Sequence, residues 1–188
     1  MTTREEAQAL LSLARSTIAE ALGAPRASVP RLALLETPRG CFVTLHRGGA
    51  LHGCIGSFGG RPLGAAIRSN AYAAAFEDPR AQPLDLADVD DLEVEISLLS
   101  PRTPLSFESE ADARAQLRPD VDGLVLEWGR HRGVFLPQVW ESLPEPREFL
   151  DHLKLKAGLP ADFWAPELTL ERFTVEKFLD PARVRGLA

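Results

Sequence analysis

The chain is poor in cysteine, in basic charge and in long apolar runs. Only two of its 188 residues are cysteines, which is too few for a disulfide framework. No cluster of cysteine and histidine has the spacing of a zinc site. We therefore expect reduced thiols, no bound metal and no cofactor.

Acidic residues outnumber basic ones by 27 to 21, which gives a formal net charge of −6. Nucleic-acid-binding proteins usually carry a basic patch, so binding to nucleic acid is not expected. No apolar run approaches the roughly 18 residues of a membrane span, and the first six residues lack the pattern of a signal peptide. These absences predict a cytoplasmic protein that does not associate with membranes.

Helical and strand periodicities alternate along the chain and predict an α+β fold built on antiparallel sheets with flanking helices. In the first half, a helix is expected over residues 3–22, starting at a capping box. A hairpin over 41–55 follows, then a helix over 62–76 and a strand over 92–98. This order of hairpin, helix and strand recurs in the second half of the chain, which predicts an internal duplication.

In the second half, the predicted elements are a hairpin over 124–136, a short helical turn over 138–142 and a helix over 146–158. A final strand is expected over 168–178, with a bulge near Arg172 where the apolar phase slips. No flexible linker separates the halves, so we expect one domain over 1–188, with a larger core and a smaller lobe.

The segment His52-Gly53-Cys54-Ile55-Gly56 is the most informative stretch. The glycines leave the backbone bare, so a ligand or another chain segment can approach closely. Strict alternation places His52 and Cys54 on one face, roughly 7 Å apart at Cα. His52 would then favour the thiolate or act as its base, which makes Cys54 a candidate nucleophile. The alternative is a small apolar core residue, as free cysteines often are.

The turn length decides how Cys54 relates to Cys41. A two-residue turn would put both side chains on the same face, within reach of a disulfide, whereas a three-residue loop would separate them. We expect both thiols to stay reduced.

Five further polar residues are candidates for the same pocket. Glu95 lies in a row of polar strand residues that either performs acid–base chemistry or is a solvated face. Asn70 interrupts an apolar helix stripe, as a structural clamp or as part of a pocket wall. Asp78 and Arg80, at a helix exit, either pair with each other or hold a polar ligand. Gln138 is a candidate hydrogen-bonding group for a pocket.

Several blocks in order resemble the AMMECR family. Residues 51–56 are similar to its Leu-Arg-Gly-Cys-Ile-Gly motif, with His52 in place of the arginine. That change removes a permanently charged group that can bind an anion through two hydrogen bonds at once. The other similar blocks cover nearly the whole chain: 40–45, 74–76 with 78–80, 93–97, 121–124, 135–140 and 156–159.

The resemblance implies an α+β fold with antiparallel sheets and an internal duplication. Bacterial members similar to this chain are called AmmeMemoRadiSam system protein A, and they are encoded or fused with a Memo-like protein and a radical S-adenosylmethionine enzyme. This chain lacks the three closely spaced cysteines of a radical cluster, so it does not itself cleave S-adenosylmethionine by the iron–sulfur route.

The expected function is a cysteine-dependent enzyme, or enzyme component, acting on a small-molecule ligand in that shared pathway. Cys54 would be nucleophile or proton donor, His52 its modulator and Glu95 a further catalytic group. The ligand-binding residues would be Gly53, Gly56, Asn70, Asp78, Arg80 and Gln138. The alternative is a non-catalytic binding or scaffold subunit that docks a partner through strand 51–56.

Overall fold

A computed structural model describes residues 2–28 and 31–181. The chain forms two compact units, of which the first combines Met1–Leu99 with Glu176–Ala188 and the second is Ser100–Val175. No helix in the described part of the chain is long and apolar enough to cross a membrane.

The first unit contains three α-helices, one 3-10 helix and four strands within the described residues. In chain order these are α1 (Arg4–Ala21), α2 (Ala33–Glu36), β1 (Cys41–Arg47), β2 (Ala50–Ser57), α3 (Leu63–Phe76), the 3-10 helix Leu86–Asp91, β3 (Leu92–Leu99) and, after the second unit, β8 (Val175–Asp180). The sheet order is β2-β1-β3-β8.

The second unit follows a similar plan. Its elements are β4 (Thr103–Leu105), α4 (Glu110–Ala115), β5 (Gly123–Trp128), β6 (His131–Phe135), the 3-10 helix Pro137–Glu141, α5 (Pro146–Lys156) and β7 (Thr169–Phe173). The sheet order is β4-β7-β5-β6.

The predicted repeat of hairpin, helix and strand is present in both units. β3 pairs with β1 of the first hairpin, and β7 pairs with β5 of the second, in both cases antiparallel. Each sheet then gains a fourth strand beside the third, β8 in one and β4 in the other. The hairpin and the third strand are therefore arranged alike in the two sheets, although the fourth strand follows them in the chain in the first unit and precedes them in the second. The α+β prediction is confirmed.

Helix α1 forms because local signals and apolar spacing agree. The Thr3 side chain accepts a hydrogen bond from the Glu6 amide, and the Glu6 side chain accepts one from the Thr3 amide. Together these bonds form the predicted capping box. Leu10 and Ile18 on its inner face are fully buried. The chain leaves the helix through Gly23, whose φ of 96° is left-handed and suits glycine.

The sheet of the first unit has one covered face and one polar face. Alternate residues of β1 and β3 belong to a core that includes residues of α1 and α3, and they are fully buried. The intervening residues are partly buried and point the other way. We call this opposite side the polar face; its residues include Phe42, Thr44, Cys54, Glu93, Glu95 and Ser97.

A β-bulge in the first hairpin changes the expected facing of its side chains. The turn has two residues, Gly48 and Gly49, both with positive φ, as a type I′ turn requires. Leu45 pairs with Gly53 but His46 pairs with Leu51, so the register shifts by one residue. His52 is the extra residue.

The bulge reverses the predicted relation of the two cysteines. Cys41 pairs with Ser57 and is buried in the core, whereas Cys54 pairs with Thr44 on the polar face. The expectation that a two-residue turn puts both thiols on one face is therefore wrong. Both cysteines are free.

The single strand predicted over 168–178 is also wrong. The chain there forms two strands in different sheets, β7 and β8, with Thr174 between them. The Thr174 amide is held by the Ser100 hydroxyl at 3.0 Å. The phase slip near Arg172 therefore marks a change of sheet rather than a bulge.

Candidate functional site

Cys54 lies partly buried on the polar face, and both its sulfur and its amide are hydrogen-bonded. The Thr44 hydroxyl donates to Cys54 Sγ over 3.2 Å. The Cys54 amide donates to Asp78 Oδ2 over 2.9 Å. Because β2 is the edge strand, this amide points away from β1, and Asp78 takes the place of a neighbouring strand.

Glu95 belongs to the same row of side chains as Cys54. Thr44 is the cross-strand partner of both, with Cys54 on one side and Glu95 on the other. Strand spacing puts the Cα atoms of Cys54 and Glu95 about 10 Å apart. The Glu95 carboxylate accepts from Ser97 Oγ at 3.3 Å and lies 3.7 Å from Lys177 Nζ. The structure thus brings these two predicted catalytic residues onto one face.

His52 lies on the other side of the sheet from Cys54. Its Nε2 is 3.1 Å from the Ala75 carbonyl of α3, and the residue is only 4 % exposed. Because a carbonyl only accepts, Nε2 carries the proton in this bond. The shared face on which the predicted modulator role depended is therefore absent, since the bulge at His52 breaks the alternation.

Asp78 and Arg80 form a forked ion pair next to Cys54. Arg80 Nε and Nη2 donate to the two Asp78 oxygens at 2.9 and 2.7 Å, and the Arg80 amide donates to Oδ1 at 2.9 Å. Of the alternatives left open by the sequence, the mutual pair is present.

This pairing shifts the titration of both groups. Hydrogen bonding from the Arg80 side chain, supported by the Cys54 and Arg80 amides, holds the pKa of Asp78 well below its usual range. The same pairing raises the pKa of Arg80, and the negative form of the Cys54 thiol adds to that effect. Arg80 is therefore a cation whose pKa responds to the charge on this sulfur.

Other segments of the chain pack closely against the two glycines near Cys54. A Cβ added to Gly53 would overlap the Ala74 carbonyl at the end of α3. A Cβ added to Gly56 would overlap the ring of Phe42. Packing against other segments of this chain accounts for both glycines, which was one of the two predicted reasons for them.

Asn70 is a clamp between α3 and β1. Its amide donates to the Cys41 carbonyl at 3.0 Å and lies 3.4 Å from the Cys41 sulfur. Burial raises the pKa of the Cys41 thiol to about 11, against the opposing effect of Asn70. Cys41 is accordingly an apolar core residue.

Gln138 belongs to the second unit, where it is exposed in the short helix Pro137–Glu141. Its ligand-binding role stays a prediction. Among the described residues, no group of three or more His, Cys, Asp or Glu side chains is placed to hold a metal ion.

Thr44 and Lys177 were not predicted to belong to this face. Thr44 is one of several hydroxyl residues in strands, and only the register with Cys54 distinguishes it. Lys177 comes from β8, which follows the whole second unit in the chain. Nothing local in the sequence signals that contact.

These features define an α+β protein with two four-stranded sheets, each built on a hairpin and a third strand, and a partly buried thiol on the polar face of the first sheet. The AMMECR1 family model matches residues 11–178, and the chain belongs to this family.

Several relatives are similar to this chain over most of its length. One from Methanothermobacter thermautotrophicus is 40 % identical over 186 residues, which cover 94 % of this chain and 95 % of that protein. One from Thermotoga maritima is 40 % identical, covering 82 % of this chain and 84 % of the relative. The crystal structure of uncharacterized protein PH0010 from Pyrococcus horikoshii is similar with a TM-score of 0.72 and 34 % identity, covering 93 % of this chain and 91 % of that one.

Proposed function

We propose that this protein is a cytoplasmic cysteine-dependent enzyme, or enzyme component, that acts on an electrophilic small molecule. The observation that carries the proposal is the setting of Cys54, whose sulfur accepts from Thr44 and whose amide shares the Asp78 carboxylate with Arg80. A hydroxyl donor and a nearby cation both stabilise negative charge on sulfur, which attack by a cysteine requires.

The proposed chemistry uses the polar face. The thiol gives its proton to solvent water, and the sulfur lone pair then forms a bond to an electrophilic carbon of the substrate. The electron pair of the bond that breaks moves onto the atom attached to that carbon. Glu95 would exchange a proton with a ligand that extends from Cys54 across Thr44, and its position on the same face supports this role.

The pathway is proposed to be shared with a Memo-like protein and a radical S-adenosylmethionine enzyme, as the family resemblance implies. A deletion strain of the source organism, complemented with wild type, Cys54→Ser or Cys41→Ser, tests the role of Cys54. We expect metabolite profiles to return to normal with wild type and Cys41→Ser but not with Cys54→Ser. Full restoration by a well-folded Cys54→Ser protein refutes catalysis by this thiol.

A second candidate function is a binding subunit that docks a partner along β2. The position of β2 at the sheet edge favours it, since edge strands present unpaired backbone groups. Its sequence has no proline and no Lys, Arg, Asp or Glu to discourage pairing, and Leu51 is 40 % exposed. Glycine enlargements do not test this, because Gly53 and Gly56 are closely packed by the protein itself.

Leu51→Lys tests docking without touching Cys54. The docking function predicts that Leu51→Lys abolishes co-purification with the co-expressed Memo-like or radical S-adenosylmethionine protein, while Cys54→Ser retains it. Loss of activity in Cys54→Ser with unchanged co-purification in Leu51→Lys favours the enzyme.

A further inference from the structure

The Asp78 carboxylate joins the backbone of Cys54 to the guanidinium of Arg80. The same oxygen, Oδ2, accepts from the Cys54 amide at 2.9 Å and from Arg80 Nη2 at 2.7 Å. The Cys54 amide nitrogen and Arg80 Nη2 are therefore separated by no more than the sum of these two distances. Arg80 is fixed beside the backbone of the candidate nucleophile.

The pair presents its positive end to solvent and keeps its negative end inside. The Asp78 side chain is only 2 % exposed, whereas that of Arg80 is 53 % exposed. Both Asp78 oxygens are taken by donors, two on each. Arg80 Nη1 makes no hydrogen bond within the described residues, so a planar donor edge is left for a ligand.

The other basic side chains around Cys54 are not available in the same way. Lys177 lies next to the Glu95 carboxylate, and the ring of His52 is buried against α3. The whole chain carries a formal net charge of −6, which repels anions in general. An anion that approaches Cys54 therefore depends on Arg80.

We propose that the substrate of Cys54 carries an oxyanion, a carboxylate or phosphate group, and that Arg80 binds it. This inference rests on the proposed function, because it names the class of molecule that the thiol acts on. Arginine suits the task, since its fork stays charged and Asp78 fixes its orientation before the ligand arrives.

Two alkylating reagents of similar size test the inference. Iodoacetate is anionic and iodoacetamide is neutral. The rate with iodoacetate divided by the rate with iodoacetamide, both at Cys54, cancels any change in the thiolate fraction. We expect this ratio to be several-fold higher in the protein than in an unstructured cysteine peptide. Arg80→Gln should lower it to the peptide value, and Arg80→Lys should retain part of it.

Arg118→Gln is the matched control. Arg118 makes the same kind of fork, with the same 53 % exposure, to Asp122, whose carboxylate is buried and accepts nothing from Cys54. This variant removes an equivalent ion pair and should leave the ratio unchanged. A ratio equal to the peptide value in wild type, or unaltered by Arg80→Gln, overturns the inference.

The wild-type protein gives a test that does not depend on the folding of any variant. Raising NaCl from about 10 mM to about 500 mM should slow iodoacetate several-fold relative to iodoacetamide, because salt screens an exposed cation. Protection by phosphate or by acetate then identifies which oxyanion is preferred. Reaction with iodoacetamide but no salt effect on the ratio refutes the oxyanion site alone, whereas a Cys54 inert to both reagents refutes the proposed function.

Discussion

The two cysteines of the first hairpin have different environments although they lie on paired strands. Cys41 is fully buried under α3 and its carbonyl is clamped by Asn70, so its thiol stays protonated. Cys54 lies on the polar face, where Thr44 donates to its sulfur. The single extra residue at His52 produces this difference, because it reverses the facing of everything that follows in β2.

The Thr44 hydroxyl is expected to support the reactivity of Cys54. Thr44→Val keeps the shape of the side chain but removes the donor to Sγ. A hydrogen bond of this kind contributes about 0.5–1.5 kcal/mol, so alkylation of Cys54 at neutral pH should slow by roughly two- to tenfold. Thr44→Ser should react like wild type. Equal rates in all three proteins would show that the hydroxyl does not act on the sulfur.

Asp78 should make the stability of the protein depend on acidic pH. Its pKa is lowered in the folded state, mainly by Arg80, so the ionised carboxylate stabilises the fold above the unfolded value of about 3.9. That contribution is lost as the pH falls from about 4 towards the lower folded-state pKa.

Asp78→Asn should therefore unfold at a lower urea concentration than wild type at neutral pH. The gap between the two proteins should stay constant down to about pH 5 and shrink below about pH 4. A gap that is the same from neutral pH to about pH 3 contradicts this assignment.

At the scale of elements, the β1–β2 hairpin and α3 form one packed assembly. Gly53 lets the end of α3 approach β2, and this approach brings Asp78 to the Cys54 amide. The site is thus a product of how closely a helix can pack on an edge strand.

Gly53→Ala should disturb that packing. Its added Cβ would overlap the Ala74 carbonyl, so we expect a loss of about 1–3 kcal/mol in the free energy of unfolding. Gly64→Ala in α3 is the control, because its Cβ would meet Leu35 at an ordinary 3.4 Å. Urea denaturation compares the two, and equal stabilities would contradict the packing described here.

The elements were predictable to the extent that apolar periodicity marks them. β3 alternates from Leu92 to Leu98 and α1 carries both a capping box and an apolar stripe, so both were predicted within one or two residues. The bulge at His52 could not be predicted, because Gly53 and Gly56, which follow it in the same strand, interrupt any apolar period. The division between β7 and β8 depends on tertiary pairing, which local pattern does not encode.

The candidate site was predicted in composition more than in geometry. Cys54 and Glu95 were expected and share a face, and the pairing of Asp78 with Arg80 was one of two stated alternatives. His52 was placed on the wrong face. That error follows directly from the bulge.

At the scale of the whole molecule, each unit has its own hydrophobic core. In the second core Trp140 stacks on Phe149 with ring centroids 3.7 Å apart. All three tryptophans of the chain, at positions 128, 140 and 164, belong to the second unit. Tryptophan fluorescence therefore reports on that unit, and protection of Cys41 from alkylation reports on the first.

Core truncations should act on the probe of their own unit. Leu153→Ala should lower the stability seen by fluorescence by about 2–5 kcal/mol, and Ile96→Ala should do the same for protection of Cys41. Denaturant titrations with both probes check this. Equal shifts of both probes in both variants would show a single cooperative core.

Alkylation of the folded protein measures whether Cys54 is an activated and accessible thiol. Mass spectrometry would follow iodoacetamide labelling of Cys54 and Cys41 separately at about pH 8. With its pKa raised to about 11, Cys41 holds only about one thiolate in a thousand and should label only on unfolding. We predict that Cys54 labels in the folded state, faster than an unstructured cysteine peptide. A Cys54 that stays unlabelled until the protein unfolds would contradict it.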